Sequence, residues 1–112
     1  QGVSSAASDV YKRQAPITSV NVSNCLYLNE LTISDGSLTD VDVSGSLYLD
    51  YIDLHNNLLT QSSVDDILVA LDNNGLSNGA VILDGTGNAA PSVTGTAAAA
   101  NLTGKGWIVV TN

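Results

Sequence analysis

Along the first half of the chain, apolar and polar residues alternate in short triplets. Val20-Asn21-Val22, Leu31-Thr32-Ile33, Val41-Asp42-Val43 and Ile52-Asp53-Leu54 each set two aliphatic side chains around a polar one, the period of a strand with one buried face. The triplets recur. Residues 17–37 align with 38–58 at a spacing of 21, with identities at Thr18/Thr39, Val20/Val41, Val22/Val43, Ser23/Ser44, Leu26/Leu47, Tyr27/Tyr48 and Leu28/Leu49. One unit of this length cannot bury its own apolar face, so a repeat of about 20 to 50 residues predicts units stacked into a solenoid. After Leu59 the spacing becomes helical, with Val64, Ile67, Leu68 and Leu71 on one face. Ser63 is the expected cap, Asp65 and Asp66 suit the positive end of the helix, and Gly75 suits a left-handed exit. Val81-Ile82-Leu83 reads as the next strand, and its displacement from Ile52 by 29 positions rather than 21 is what exchanging an extended back wall for a helix requires. The cycle then repeats: residues 92–104 hold an alanine run and Leu102, interrupted by the weak helix formers Thr94, Gly95 and Thr96, and Trp107-Ile108-Val109-Val110 reads as a closing strand.

Leu49, Ile52, Leu54, Asn57 and Leu59 fall at places one, four, six, nine and eleven of the frame L-x-x-L-x-L-x-x-N-x-L. On this frame and the 21-residue period, residues 17–112 resemble bacterial leucine-rich repeat proteins, most of all the internalin-type repeats of surface proteins. The preceding unit has Leu28, Leu31, Ile33 and Leu38 but Gly36 at the asparagine place, which removes one rung of the expected asparagine ladder. The later units, opening at Val64-Asp65-Asp66-Ile67-Leu68 and closing near Lys105-Gly106-Trp107, are similar to C-terminal units of phage and environmental bacterial adhesin-like proteins. The fold expected is α/β: a leucine-rich repeat solenoid fragment with a parallel concave sheet and helices on the convex side of the last coils. Residues 15–60 hold two 21-residue repeats and 61–112 the longer C-terminal repeats and cap. The resemblance implies a C-terminal fragment of a binding or adhesion protein that recognises a protein or glycan through its concave face, with a bacterial or phage source and a cell-surface, extracellular or virion setting. A structural cap or spacer without a ligand of its own is the alternative.

Residues 4–14 resemble the in-frame translation of a sequencing-library adapter, and no Met is present in the chain. Residues 1–14 are therefore expected to be a non-native tail. Lys12 and Arg13 belong to that tail, leaving Lys105 as the only other basic residue. With 11 acidic against 3 basic residues and a formal charge of −8, the chain is a poor partner for nucleic acid or an anionic membrane surface. No apolar run reaches the roughly 18 residues of a membrane span, so no membrane insertion is expected. The single cysteine, Cys25, has no intrachain disulfide partner and is expected at a corner between strands.

Alternation turns Glu30, Thr32, Ser34, Tyr51, Asp53, His55, Ile82 and Asp84 outward from the concave sheet, a mixture of acid, hydroxyl and aromatic groups suited to contact with a protein or glycan. Asp53 and His55, two apart on one strand face, could share a proton or hold a metal, but no nucleophile, further ligand or oxyanion motif accompanies them. Asp84-Gly85-Thr86-Gly87-Asn88 looks superficially like a calcium loop, yet it lacks the repeated acids and closing Glu of an EF-hand and reads as a turn. Asn21-Val22-Ser23 and Asn101-Leu102-Thr103 match the glycosylation sequon, Asn57 is expected to satisfy backbone groups at a bend, and Trp107 to cover the last coil. No catalytic residue, metal site or cofactor is expected.

Overall fold

Each apolar triplet becomes a three-residue strand centred on its first aliphatic residue. The computed structural model describes the backbone of residues 10–12 and residues 17–112. Among these the order is β1 (Val10–Lys12), β2 (Ser19–Asn21), β3 (Glu30–Thr32), β4 (Asp40–Asp42), β5 (Tyr51–Asp53), α1 (Gln61–Asn74), β6 (Ala80–Ile82), α2 (Val93–Gly104) and β7 (Ile108–Val110). Val20, Leu31, Val41, Ile52 and Val81 are 0 to 2 % exposed, with exposed or half-buried residues on either side. The strands stop one residue before the triplets do, but the alternation does not: Val22, Ile33, Val43, Leu54 and Leu83 lie beyond the strand ends and are equally buried. Each such side chain stabilises the fold by about 1.5–3 kcal/mol relative to leaving it in water.

All strand pairs among the described residues are parallel. β1-β3-β5-β6-β7 form one sheet in that order, and β2-β4 a second, giving a mixed α/β molecule. Because β2 and β4 alternate in sequence with β3 and β5, the chain passes back and forth between the two sheets. Val20 lies opposite Val41, and Leu31 opposite Ile52, so the sequence period of 21 is also the pairing register. Ile52 then faces Val81, and Val81 faces Val109, with α1 and α2 in the intervening segments. Within the segment read as a tail, Val10–Lys12 pairs with Glu30–Thr32, Tyr11 standing opposite Leu31. The rest of residues 1–14 lies outside the described residues.

The corners repeat as well. Asn21 Oδ1 accepts the Ser23 backbone N–H at 2.8 Å, and Asp42 Oδ1 accepts that of Ser44 at 3.0 Å, so each polar residue closes its own turn. Cys25 and Ser46 occupy the same buried corner in successive units. Burial raises the Cys25 thiol above its ordinary pKa, and the Ser46 hydroxyl donates to the Val22 carbonyl at 2.6 Å. Gly45 is required by this stacking, because a Cβ there would lie 1.7 Å from the Ser23 carbonyl oxygen.

The cap of helix α1 lies three residues before the expected one. Thr60 is the N-cap, in extended conformation, and its hydroxyl accepts from Ser63 N–H at 3.2 Å. Ser63 is instead buried in the first turn, where its Oγ accepts the Val41 N–H at 3.3 Å and ties the helix to β4. The earlier start moves Asp65 and Asp66 out of the first turn. Asp65 instead accepts the Ser92 backbone N–H at 2.9 Å, joining α1 to the start of α2. Gly75 takes the left-handed exit at φ 79.

Ser92 caps α2, whose inward residues are Gly95, Ala98 and Leu102. A Cβ on Gly95 would meet Asp65 Oδ1 at 2.1 Å. The poor helix former is thus what lets α2 approach α1 closely. Farther along, Lys105 Nζ reaches Asp72 Oδ1 at 2.7 Å and the Asp72 carbonyl at 2.8 Å, while Asn101 donates to Asp72 Oδ2 at 2.9 Å. The Lys105 hydrogen bond, assisted by Asn101, holds the Asp72 carboxyl below its ordinary pKa. Trp107 is buried and donates its indole N–H to the Leu76 carbonyl at 2.8 Å. Its ring fills the space beside Gly79, where a Cβ would approach it to 2.6 Å, against the turn before β6. Among the described residues, no helix is long and apolar enough to cross a membrane.

Candidate functional site

From β3 to β7 the larger sheet turns its centre row inward and its flanking rows outward. Register lines up Glu30, Tyr51, Ala80 and Ile108 in one outer row, and Thr32, Asp53, Ile82 and Val110 in the other. Of the residues expected on this face, Glu30, Thr32, Tyr51, Asp53, Ile82, His55 and Asp84 are half-buried. Ser34 departs from the expectation: it is 9 % exposed, because the chain leaves the strand after Ile33 and turns at Asp35, which has φ 57.

His55 is the best-defined group of the face. Its Nδ1 lies 2.6 Å from Asp53 Oδ1, which also accepts the His55 backbone N–H at 3.2 Å. Nε2 stands 3.8 Å from Asp35 Oδ1, and that carboxylate also accepts from Asn56 Nδ2 at 2.8 Å. The hydrogen bond to Asp53 raises the His55 pKa above 6.5. Burial opposes the shift, and the charges of Asp53, Asp35 and Asp84 reinforce it. The proton is therefore held more tightly than on an ordinary imidazole. Among the described residues no group of three or more His, Cys, Asp or Glu side chains could hold a metal ion.

The raised value fixes the sign of a pH effect. The stability contributed by His55 is fully present below about 6.5 and is lost as pH rises through the elevated folded value. A proton NMR titration of the His55 ring should give a midpoint above 6.5, and Asp53→Asn should lower it. A midpoint at or below 6.5 in the unsubstituted protein would rule out the pairing.

The bend beneath the face is held by asparagines. Asn57 Oδ1 accepts the Leu38 N–H at 3.2 Å, while Nδ2 donates to the Ile33 and Leu54 carbonyls at 2.7 and 2.9 Å. Asn88 does the same one unit later, accepting from Leu59 N–H at 3.0 Å and donating to the Leu54 and Leu83 carbonyls at 3.0 and 3.1 Å. The segment with a superficial likeness to a calcium loop therefore contributes a buried structural amide. Asn21 and Asn101, the two sequon asparagines, have their side chains engaged with Ser23 and Asp72.

Three features escaped the sequence reading. Ala80, Ile108 and Val110 extend the outer face with aliphatic groups, and Ile108 is 64 % exposed. Their signal was available: β7 carries the same alternation around Val109 that marks Ile82 as outward. Tyr27 and Tyr48, seen only as a repeated pair, stack in the open with ring centroids 5.7 Å apart and planes 15° from parallel. On the other wall, an open groove of about 440 Å³ runs between β4 and α1, lined by Asp40, Asp42, Asp66, Val69 and Asn73 among others. No family model, no curated protein and no solved structure matches this chain.

Proposed function

We propose that the chain is a leucine-rich repeat solenoid, the C-terminal part of a bacterial or phage binding or adhesion protein that contacts a protein or glycan through the outer face of its larger sheet. The observation that carries this reading is the coincidence of the 21-residue sequence period with the register of one strand pair in each sheet, β2–β4 and β3–β5. The paired buried asparagines, Asn57 and Asn88, support it further, since each bonds its own bend and the preceding unit. A regular scaffold of this kind frees its outward side chains from any part in the core. Glu30, Tyr51, Asp53 and His55 on that face are chemically diverse, as recognition requires and as a plain spacer does not.

The test is selection of binders from a glycan array and a displayed peptide library, followed by comparison of Tyr51→Ala on the outer face with Asp40→Asn on the opposite wall. Binders should lose affinity to the first substitution and keep it with the second. Absence of binders, or binders indifferent to Tyr51, would favour a spacer without a ligand.

A further inference from the structure

The outer face of the larger sheet is divided by chemistry. Toward β3 and β5 it carries Glu30 and Asp53, with Asp35 beside His55, and Asp84, just beyond β6, close enough for its charge to act on His55. Toward β6 and β7 it carries Ala80, Ile82, Ile108 and Val110. β7 is the edge strand, and Ile108 on it is among the most exposed large apolar side chains described, at 64 %. His55 is the basic side chain described on this face, and its Nδ1 already meets Asp53 Oδ1 at 2.6 Å. Lys105 is bound to Asp72 between the helices and is not offered to the sheet. β1 brings Lys12 into register with Thr32 at the far edge from the aliphatic end.

We infer that this face takes a protein segment in which aliphatic side chains stand beside lysine or arginine, the former seated on Ile82, Ile108 and Val110 and the latter on Asp53 and Asp84. The inference rests on the reading of this face as a binding surface and narrows its partner. Charge complementarity carries it, since a carboxylate cluster next to an apolar patch attracts cationic groups, repels phosphates and acidic glycans, and does so in a salt-dependent way. The aliphatic half separates protein from sugar. Covering Ile82, Ile108 and Val110 with a hydroxyl-bearing surface would leave those hydroxyls without hydrogen-bond partners, which is unfavourable, whereas leucine or valine side chains would bury apolar area against them.

The probe is a labelled amphipathic peptide of leucine and lysine, compared by fluorescence anisotropy at physiological ionic strength with a leucine–glutamate and a serine–lysine counterpart. The leucine–lysine peptide should bind roughly tenfold or more tightly than either. Asp53→Asn with Asp84→Asn should weaken it about tenfold, and Ile108→Ser about fivefold. Asp40→Asn with Asp66→Asn removes the same charge at exposed positions on the opposite wall and should change affinity less than about twofold. Equal losses from the two double substitutions would mean attraction by net charge alone and would overturn the inference. Binding of the leucine–glutamate peptide that Ile108→Ser abolishes would overturn the cationic partner while leaving the face a binding surface. Peptide binding that responds to neither Ile108 nor Asp53 and Asp84 would overturn both.

Discussion

Leu54→Asp is expected to leave the protein unfolded, whereas Asp53→Leu, one residue away, should cost about 1 kcal/mol or less. Leu54 is 0 % exposed, in a cluster with Ile33, Ile52 and Leu83. Truncating a buried leucine costs about 2–5 kcal/mol in transfer and cavity terms. Placing a carboxyl there adds several more, because the group must either be buried charged without a partner or take up a proton to enter. The sum is comparable with the lower part of the roughly 5–15 kcal/mol that holds a small domain together. Asp53 faces outward. It would lose its hydrogen bonds to His55, but a leucine on a half-buried sheet position regains apolar contact with Ile82, its register partner on β6. Urea denaturation followed by circular dichroism measures both. Equal destabilisation by the two substitutions would show that the alternation has been assigned to the wrong faces.

What could be read in the sequence was whatever obeyed a period. Alternating apolar triplets recurring at a spacing of 21 located four strands and their inward residues, and the helical spacing of Val64, Ile67, Leu68 and Leu71 located α1. Features set by a single packing contact were not legible. Thr60 rather than Ser63 caps α1 because Ser63 is drawn inward to the Val41 N–H, a partner 22 residues away in sequence. Asn88 was hidden because it lies 31 residues after Asn57, beyond the extended turn that contains Gly85 and Gly87. The glycines are themselves dictated by packing, since a Cβ at Gly87 would lie 2.0 Å from the Asn57 carbonyl oxygen. β1 escaped for a related reason. Tyr11 pairs with Leu31 at a separation of 20, one short of the repeat, so the segment shows no repeat phase. The outer face was half legible: its polar residues stood out as candidates, while Ile108 and Val110 passed as ordinary strand residues.

Asn57→Ala is expected to cost about 3 kcal/mol, a loss out of proportion to the few atoms removed. The amide lies 1 % exposed between two successive units, and its removal takes away the partner of the Leu38 N–H and of the Ile33 carbonyl. Each buried backbone group left without a partner costs about 1–3 kcal/mol. The Leu54 carbonyl is spared, because Asn88 Nδ2 also donates to it at 3.0 Å. Asn29→Ala, at an exposed position, is the control and should stay within about 0.5 kcal/mol. Asn57→Asp sharpens the test. The shape is kept, but a carboxylate would direct its second oxygen at the Ile33 and Leu54 carbonyls, which donate nothing. Its pKa in the folded protein should therefore rise above the ordinary aspartate value. A carboxyl raised in this way destabilises fully above its folded pKa, and the loss is relieved as pH falls through that value toward the unfolded one. Asn57→Asp should thus be the least stable of the set at neutral pH and recover relative to Asn57→Ala on acidification, measured as urea midpoints across the acidic range. A loss below about 1 kcal/mol for Asn57→Ala, or an Asn57→Asp variant indifferent to pH, would mean that the amide does not join the units.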